Sequence, residues 1–189
     1  MQWRNSDDRY GAVAQFLHWG MFALIALQLL GGEVMGELPK KSAIRGFAYD
    51  AHETFGLVVL GFVFLRIAWK IANPTPVATG PAWQRLAARA AHGLLYALLV
   101  AIPVAGYVMV VAKGHDAAFF GWDVPSLLGK DEALGKLAKG AHEWLANLLI
   151  AIVAVHAGAA LWHHAVARDG VLRRMLPRRR RNGQMGYRH

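Results

Sequence analysis

Four stretches of the chain, about residues 10–32, 52–72, 90–112 and 142–166, are nearly free of charge. Each is longer than the ~20 residues a helix needs to cross a hydrocarbon core. Nothing else in the sequence constrains the fold as tightly. In lipid every backbone N–H and C=O must be satisfied inside the structure, so such stretches become helices. The expectation is an all-α, integral membrane four-helix bundle forming one domain over residues 1–189. The first stretch reads as a span and not as a cleaved leader. It is too long, Asp7 and Asp8 precede it, and Gly31-Gly32-Glu33 replaces a small-residue cleavage site.

Charge sets the expected orientation. With the spans above, fourteen Lys and Arg fall on the side of the termini and the second connection, and seven on the other. The richer side is expected to be cytoplasmic, with both termini inside a bacterial inner membrane. Trp3, Trp69, Trp83 and Trp162 on that side, and Trp122 and Trp144 on the other, sit near span ends where interfacial aromatics belong. The formal net charge of +9 comes mostly from the tail after residue 168, including Arg173, Arg174 and Arg178 to Arg181. A basic run directly after an apolar helix reads as an anchor on anionic membrane lipid. Nucleic acid is not expected as a partner, because no basic face supports the run. Asn73-Pro-Thr-Pro and Thr79-Gly-Pro predict a stiff inner loop. Residues 113–141 form the one sizeable outer segment. In it Leu127, Leu128, Leu134 and Leu137 predict a short surface helix, either an ordered lid or a dock for a periplasmic redox partner. Pro103 falls inside the third span and is expected to kink it.

The chain has no cysteine, which excludes thiolate metal sites, iron–sulfur clusters and covalent heme attachment. It has nine histidines, and His18, His52, His92, His142, His156 and His163 lie in or at the edges of spans. A histidine in a membrane is costly and marks function by default, although any single one can be a hydrogen-bonded packing residue. His142 and His156 fall within ~40° of one helix face, ~21 Å apart along the axis, with His163 on the same stripe. Depth then selects partners. His52 and His142 are both at outer span edges, each in an Ala-His-Glu triplet. His18 stands ~13 Å above Arg9, and His156 ~18 Å above Arg168. The predicted pairs are His52 with His142 near the outer face and His18 with His156 nearer the inner face.

Two imidazoles facing across an apolar gap suit heme b, and two such pairs predict two b-type hemes per chain between the helices. Gly56, Ala146, Ala159 and Ala160 would give a porphyrin room. Zinc or copper is the rival metal, but a pair of imidazoles without carboxylate or thiolate fits either poorly. With both axial positions filled, iron passes electrons and binds no substrate. His92 and His163, near the inner end, either serve a quinone or are interfacial polar residues. Arg66 either pairs with a heme propionate or snorkels. His115 and His189 carry no signal.

Along the chain stand Leu17-His18-Trp19, the helix start at His52, Pro74-Thr75-Pro76, Ala91-His92-Gly93 and Ile102-Pro103-Val104. His142-Glu143, Leu145-Ala146-Asn147, His156 with His163-His164, and Arg174-Met175-Leu176-Pro177-Arg178 follow. With this ordered set the sequence resembles the bacterial cytochrome b561 family of four-helix diheme membrane proteins, and especially its superoxide-oxidising members. The resemblance covers nearly the whole chain. It implies heme ligation by His18, His52, His142 and His156. It also implies an electron from superoxide at the periplasmic side, passed inward through the hemes to ubiquinone. Lys40, Lys41, Arg45, Lys113, Lys136 and Lys139 would either steer the anion or be solvated surface, for nine acidic residues share the outer segments. Two other readings stay open. One is a cytochrome b relay subunit of a larger dehydrogenase or hydrogenase complex, and the other is a heme carrier or redox sensor without turnover. No nucleotide-binding motif is present.

Overall fold

The computed structural model describes residues 2–78 and 80–177. The tail arginines Arg178 to Arg181 and Arg188, as well as His189 and Thr79, lie outside the described residues. Four long helices carry the chain: α1 (Ala12–Glu37), α2 (Ala43–Ala72), α3 (Ala82–Val111) and α4 (Glu132–Trp162). All four are long and apolar enough to cross a membrane. At 1.5 Å per residue they span about 39–46 Å, more than the ~30 Å of hydrocarbon. They therefore begin and end beyond the apolar stretches that reveal them. The bundle has two ends. The hairpin end holds the α1–α2 and α3–α4 connections, and the termini end holds residues 2–11, the residues after α4 up to Pro177 and the α2–α3 connection.

The 113–141 segment differs from expectation. Leu134 and Leu137 belong to the first turns of α4, whose start is set by Asp131 accepting the Leu134 N–H at 3.0 Å. Leu127 and Leu128 lie in a loop, so no separate surface helix forms. The segment instead folds a two-stranded antiparallel hairpin, β1 (Ala117–Phe119) and β2 (Trp122–Val124). Phe120 and Gly121 make its turn with φ of 51° and 82°, the doubly left-handed pattern of a type I′ turn. Hairpin residues alternate over too few positions for a helical leucine pattern to reveal them.

Pro103 does not interrupt α3, which runs unbroken across it. A thin apolar core of Met21, Val59, Val63, Leu98, Leu99 and Leu149 occupies the middle of the bundle. Phe16, Leu30, Phe47 and Ile71 point outward and are exposed, as helices facing lipid require. The close helix contacts are α3 on α4, α1 on α2 and, less extensively, α2 on α3. The pairs α1/α4 and α2/α4 are not packed in this way, and the gaps between them hold the site.

The termini end is tied together by long-range hydrogen bonds to carbonyls. Trp19 Nε1 donates to Met175 O at 3.0 Å, Arg9 to Leu176 O at 2.7 Å and Arg174 to Val77 O at 2.7 Å. The last span ends in a π-helical turn (His163–Ala167), after which Arg168 turns the chain with φ of 52°.

Candidate functional site

α4 carries His142 and His156 on the face turned toward α1 and α2. The His142 ring stands 6.2 Å, centre to centre, from that of His52 on α2. The His156 ring stands 6.2 Å from that of His18 on α1. The two separations are equal although different helices supply the partners. A metal bonded to two opposed imidazole nitrogens at about 2.0 Å, with about 1.1 Å from each nitrogen to its ring centre, sets the centres roughly 6.2 Å apart. Each pair thus has the span of a bis-imidazole clamp.

Each pair opens on a cavity. The hairpin-end cavity, about 340 Å³, is lined by His52, His142, Gln28, Gly56, Gly106 and Ala146, among others. The termini-end cavity, about 190 Å³, is lined by His18, His156, His92, Arg66 and Tyr96 with apolar side chains. Ile25, Leu29 and Leu99 border both and form the apolar partition.

Local structure fixes the rings at the hairpin end. His142 donates Nδ1–H to the Ile102 carbonyl on α3 at 2.9 Å, which leaves Nε2 with the lone pair that a metal needs. This reach depends on Gly106, where a Cβ would sit 3.1 Å from the His142 ring. Gly32 does the same opposite His52, where a Cβ would come within 3.4 Å of Cε1. Gln28 Nε2 donates to the His52 carbonyl at 2.8 Å and ties α1 to α2 there. His52 Nδ1 is buried without a partner among the described residues.

The hairpin closes over this end. Glu53 accepts the Ala118 N–H at 2.9 Å. The buried Thr54 hydroxyl accepts the Phe120 N–H at 3.2 Å and donates to the Ala118 carbonyl at 3.3 Å. These contacts hold Phe120 in its left-handed conformation, which a bulky residue rarely adopts. The cavity lining carries Glu33, Glu53 and Glu143 against Lys113 and Lys139, with Lys139 paired to Glu143 at 2.8 Å. Arg45 donates to the Gly36 and Leu38 carbonyls at 3.2 and 2.5 Å, capping α1.

The termini-end cluster has a third ring. His92 stands 5.2 Å from His156, closer than two opposed imidazoles on one metal would stand, and donates Nδ1–H to the Ala88 carbonyl at 2.6 Å. Arg66 Nε donates to the Tyr96 hydroxyl at 2.9 Å, while its Nη1 is buried without a partner among the described residues. His163 lines neither cavity and hydrogen-bonds the Asp169 carboxylate in the cap. Desolvation acts to raise the Asp169 pKa, but the Val171 amide, His163 and the Arg174 charge together outweigh it and hold the carboxyl below its usual range.

The residues brought together here are thus His52 with His142, and His18, His156, His92, Arg66 and Tyr96. Gly56 and Ala146 line the larger cavity, and Ala159 and Ala160 line neither. Sequence reasoning missed Gly106, Gly32, Gln28, Tyr96 and the Glu53–Thr54 clasp. Gly32 and Gly106 do stand beside a span end and a proline, a faint signal of close approach.

Residues 9–178 match the family model described as prokaryotic cytochrome b561. The chain belongs to the prokaryotic cytochrome b561 family. It is 32% identical to cytochrome b561 homolog 1 of Escherichia coli K12, over 92% of this chain and 99% of that one. It is 34% identical to cytochrome b561 homolog 2 of the same organism, over 93% of this chain and 95% of the other. A probable superoxide oxidase CybB of Yersinia pestis is 27% identical over 91% of this chain and 98% of its own length. A cytochrome b561 of this family is a multi-pass membrane electron-transfer protein, and the family implies b-type heme. The donor set fits that group. It is imidazole alone, with no cluster of three or more His, Cys, Asp or Glu among the described residues that would hold another metal.

Proposed function

We propose that this cytochrome b561 binds two b-type hemes, one clamped by His52 and His142 and the other by His18 and His156, and carries electrons across the membrane. Superoxide is the donor at the hairpin end and ubiquinone the acceptor. The observation that carries the two-heme reading is the repeated 6.2 Å ring separation at two depths. Heme held between paired histidines would supply one-electron transfer. The protein's residues do the rest. The histidine pairs hold the two groups at fixed depths, and the Leu99 layer keeps water from the path between them. The hairpin covers the outer group while Lys113 at the cavity rim offers a small anion a positive charge. His92 and His163, near the termini end, are the candidate groups for holding the quinone or passing it protons. Two superoxide ions each lose one electron to become dioxygen, and one quinone takes two electrons and two protons to become quinol.

The positive-inside bias supports a bacterial inner membrane location with the termini cytoplasmic and the hairpin periplasmic. The superoxide assignment draws on the name of the Yersinia relative and on no residue of this chain alone. Purified protein is expected to show about two b-type hemes per chain in a reduced-minus-oxidised spectrum. A superoxide pulse should reduce them faster than background and yield quinol when a soluble quinone is present. A diheme protein that superoxide does not reduce would instead be the relay subunit of a larger complex. The exposed Trp122 and Leu127 on the hairpin side would then serve the partner.

A further inference from the structure

Neither histidine pair accounts for Arg66. α2 carries this residue into the wall of the termini-end cavity, beside His18, His92 and His156. Its Nε–H is used on Tyr96 Oη at 2.9 Å. Its Nη1 is buried and has no acceptor among the described residues. A buried charged donor without an acceptor costs more than a neutral one, so this arrangement persists only if something supplies the missing oxygen. No Asp or Glu among the described residues lines the cavity to do so. Tyr96 is itself held, with the Lys70 ammonium 5.4 Å above its ring. The guanidinium is therefore aimed, partly satisfied and left with one fork edge open toward an apolar chamber bounded by two opposed imidazoles.

We propose that Arg66, oriented by Tyr96, binds a carboxylate side chain of the porphyrin held between His18 and His156. The inference rests on the two-heme reading above. A b-type porphyrin carries two carboxylate arms, and the planar guanidinium fork matches a carboxylate edge to edge. The contact stops the porphyrin from turning about the axis through the two histidines. It also places a fixed positive charge beside this heme in a cavity without carboxylates among the described residues, whereas the other cavity sets Glu33, Glu53 and Glu143 against Lys113 and Lys139. Because reduction adds negative charge, the arginine favours the reduced form there and draws electrons toward the termini end. Tyr96 is a positioning residue, since it touches the arginine.

The test uses purified, heme-loaded full-length protein in detergent, with wild type, Arg66→Leu, Arg66→Lys and Tyr96→Phe compared by redox titration and resonance Raman. His18→Ala, lacking the termini-end heme, assigns the signals. Arg66→Leu is expected to lower the reduced-to-oxidised ratio of the termini-end heme at fixed poise on the order of tenfold, with the hairpin-end heme unmoved. Arg66→Lys keeps the charge and most of the potential but loses the fork, so its porphyrin carboxylate bending mode shifts. Tyr96→Phe shifts both readouts less, in the same direction. Two hemes with unchanged potentials and carboxylate modes in Arg66→Leu and Arg66→Lys would overturn the inference and leave the two-heme reading standing. Fewer than two hemes in the wild type would overturn both. An Arg66→Leu protein too unstable to purify leaves Arg66→Lys and Tyr96→Phe to decide by the carboxylate mode alone.

Discussion

Single atoms govern the hairpin-end site. His142 reaches the Ile102 carbonyl because residue 106 has no side chain. In Gly106→Ala the new methyl would meet the ring at 3.1 Å, so the ring or α3 must move. Heme content is expected to fall from about two toward one per chain, read by pyridine hemochromogen. Gly93→Ala, where a Cβ meets nothing within 4 Å, is expected to keep both. His142→Ala or His52→Ala should remove the hairpin-end heme and spare the other, and retention of both would refute the ligand pairs. These histidines were legible in the sequence because polar imidazoles in apolar spans stand out, and their depth follows from helical rise. Gly106 was not, because glycine is frequent in membrane helices and only the partner across the gap shows why this one must be bare.

At the scale of elements, the spans were legible and their connection was not. The 113–141 segment carries helix-like leucines, yet Leu134 and Leu137 belong to α4 and the rest folds as a hairpin. A three-residue strand has too little pattern of its own, and its partner is the side of α2. Two residues on α2 supply that attachment, Glu53 and the buried Thr54. Thr54→Val keeps the shape and removes both hydroxyl bonds, leaving the Phe120 N–H without its acceptor. Hairpin docking is expected to weaken by about 1–3 kcal/mol. Faster amide hydrogen exchange at Ala118 and Phe120, with α3 and α4 amides unchanged, is the measurement. Unchanged exchange at those two amides would show that Glu53 and the turn suffice.

At the scale of the whole molecule, the pattern of packing decides where chemistry is possible. α3 lies close on α4 and α1 on α2, so the remaining faces stand apart and the imidazoles meet across them. The ends differ in character. The hairpin end has acids and lysines around its cavity, and the termini end has Arg66 with the His18–His156–His92 cluster. In the proposed function, sidedness converts this asymmetry into a direction for electrons. A periplasm-active phosphatase fused within the 113–131 connection is expected to be active and the same reporter after the tail inactive. The reverse pattern would place the hairpin in the cytoplasm and invert the proposed path.

The sequence by itself determined the membrane class, the number of spans, the relative depths of the histidines and the absence of thiolate chemistry. Each follows from local composition and from a constant helical rise. Only the tertiary structure decided that both ring pairs stand 6.2 Å apart, that His142 leans on Ile102, that a hairpin clasps α2, and that Arg66 is held by Tyr96 with an atom left over. Those facts depend on how closely neighbouring helices approach, and no period along a single chain records that distance.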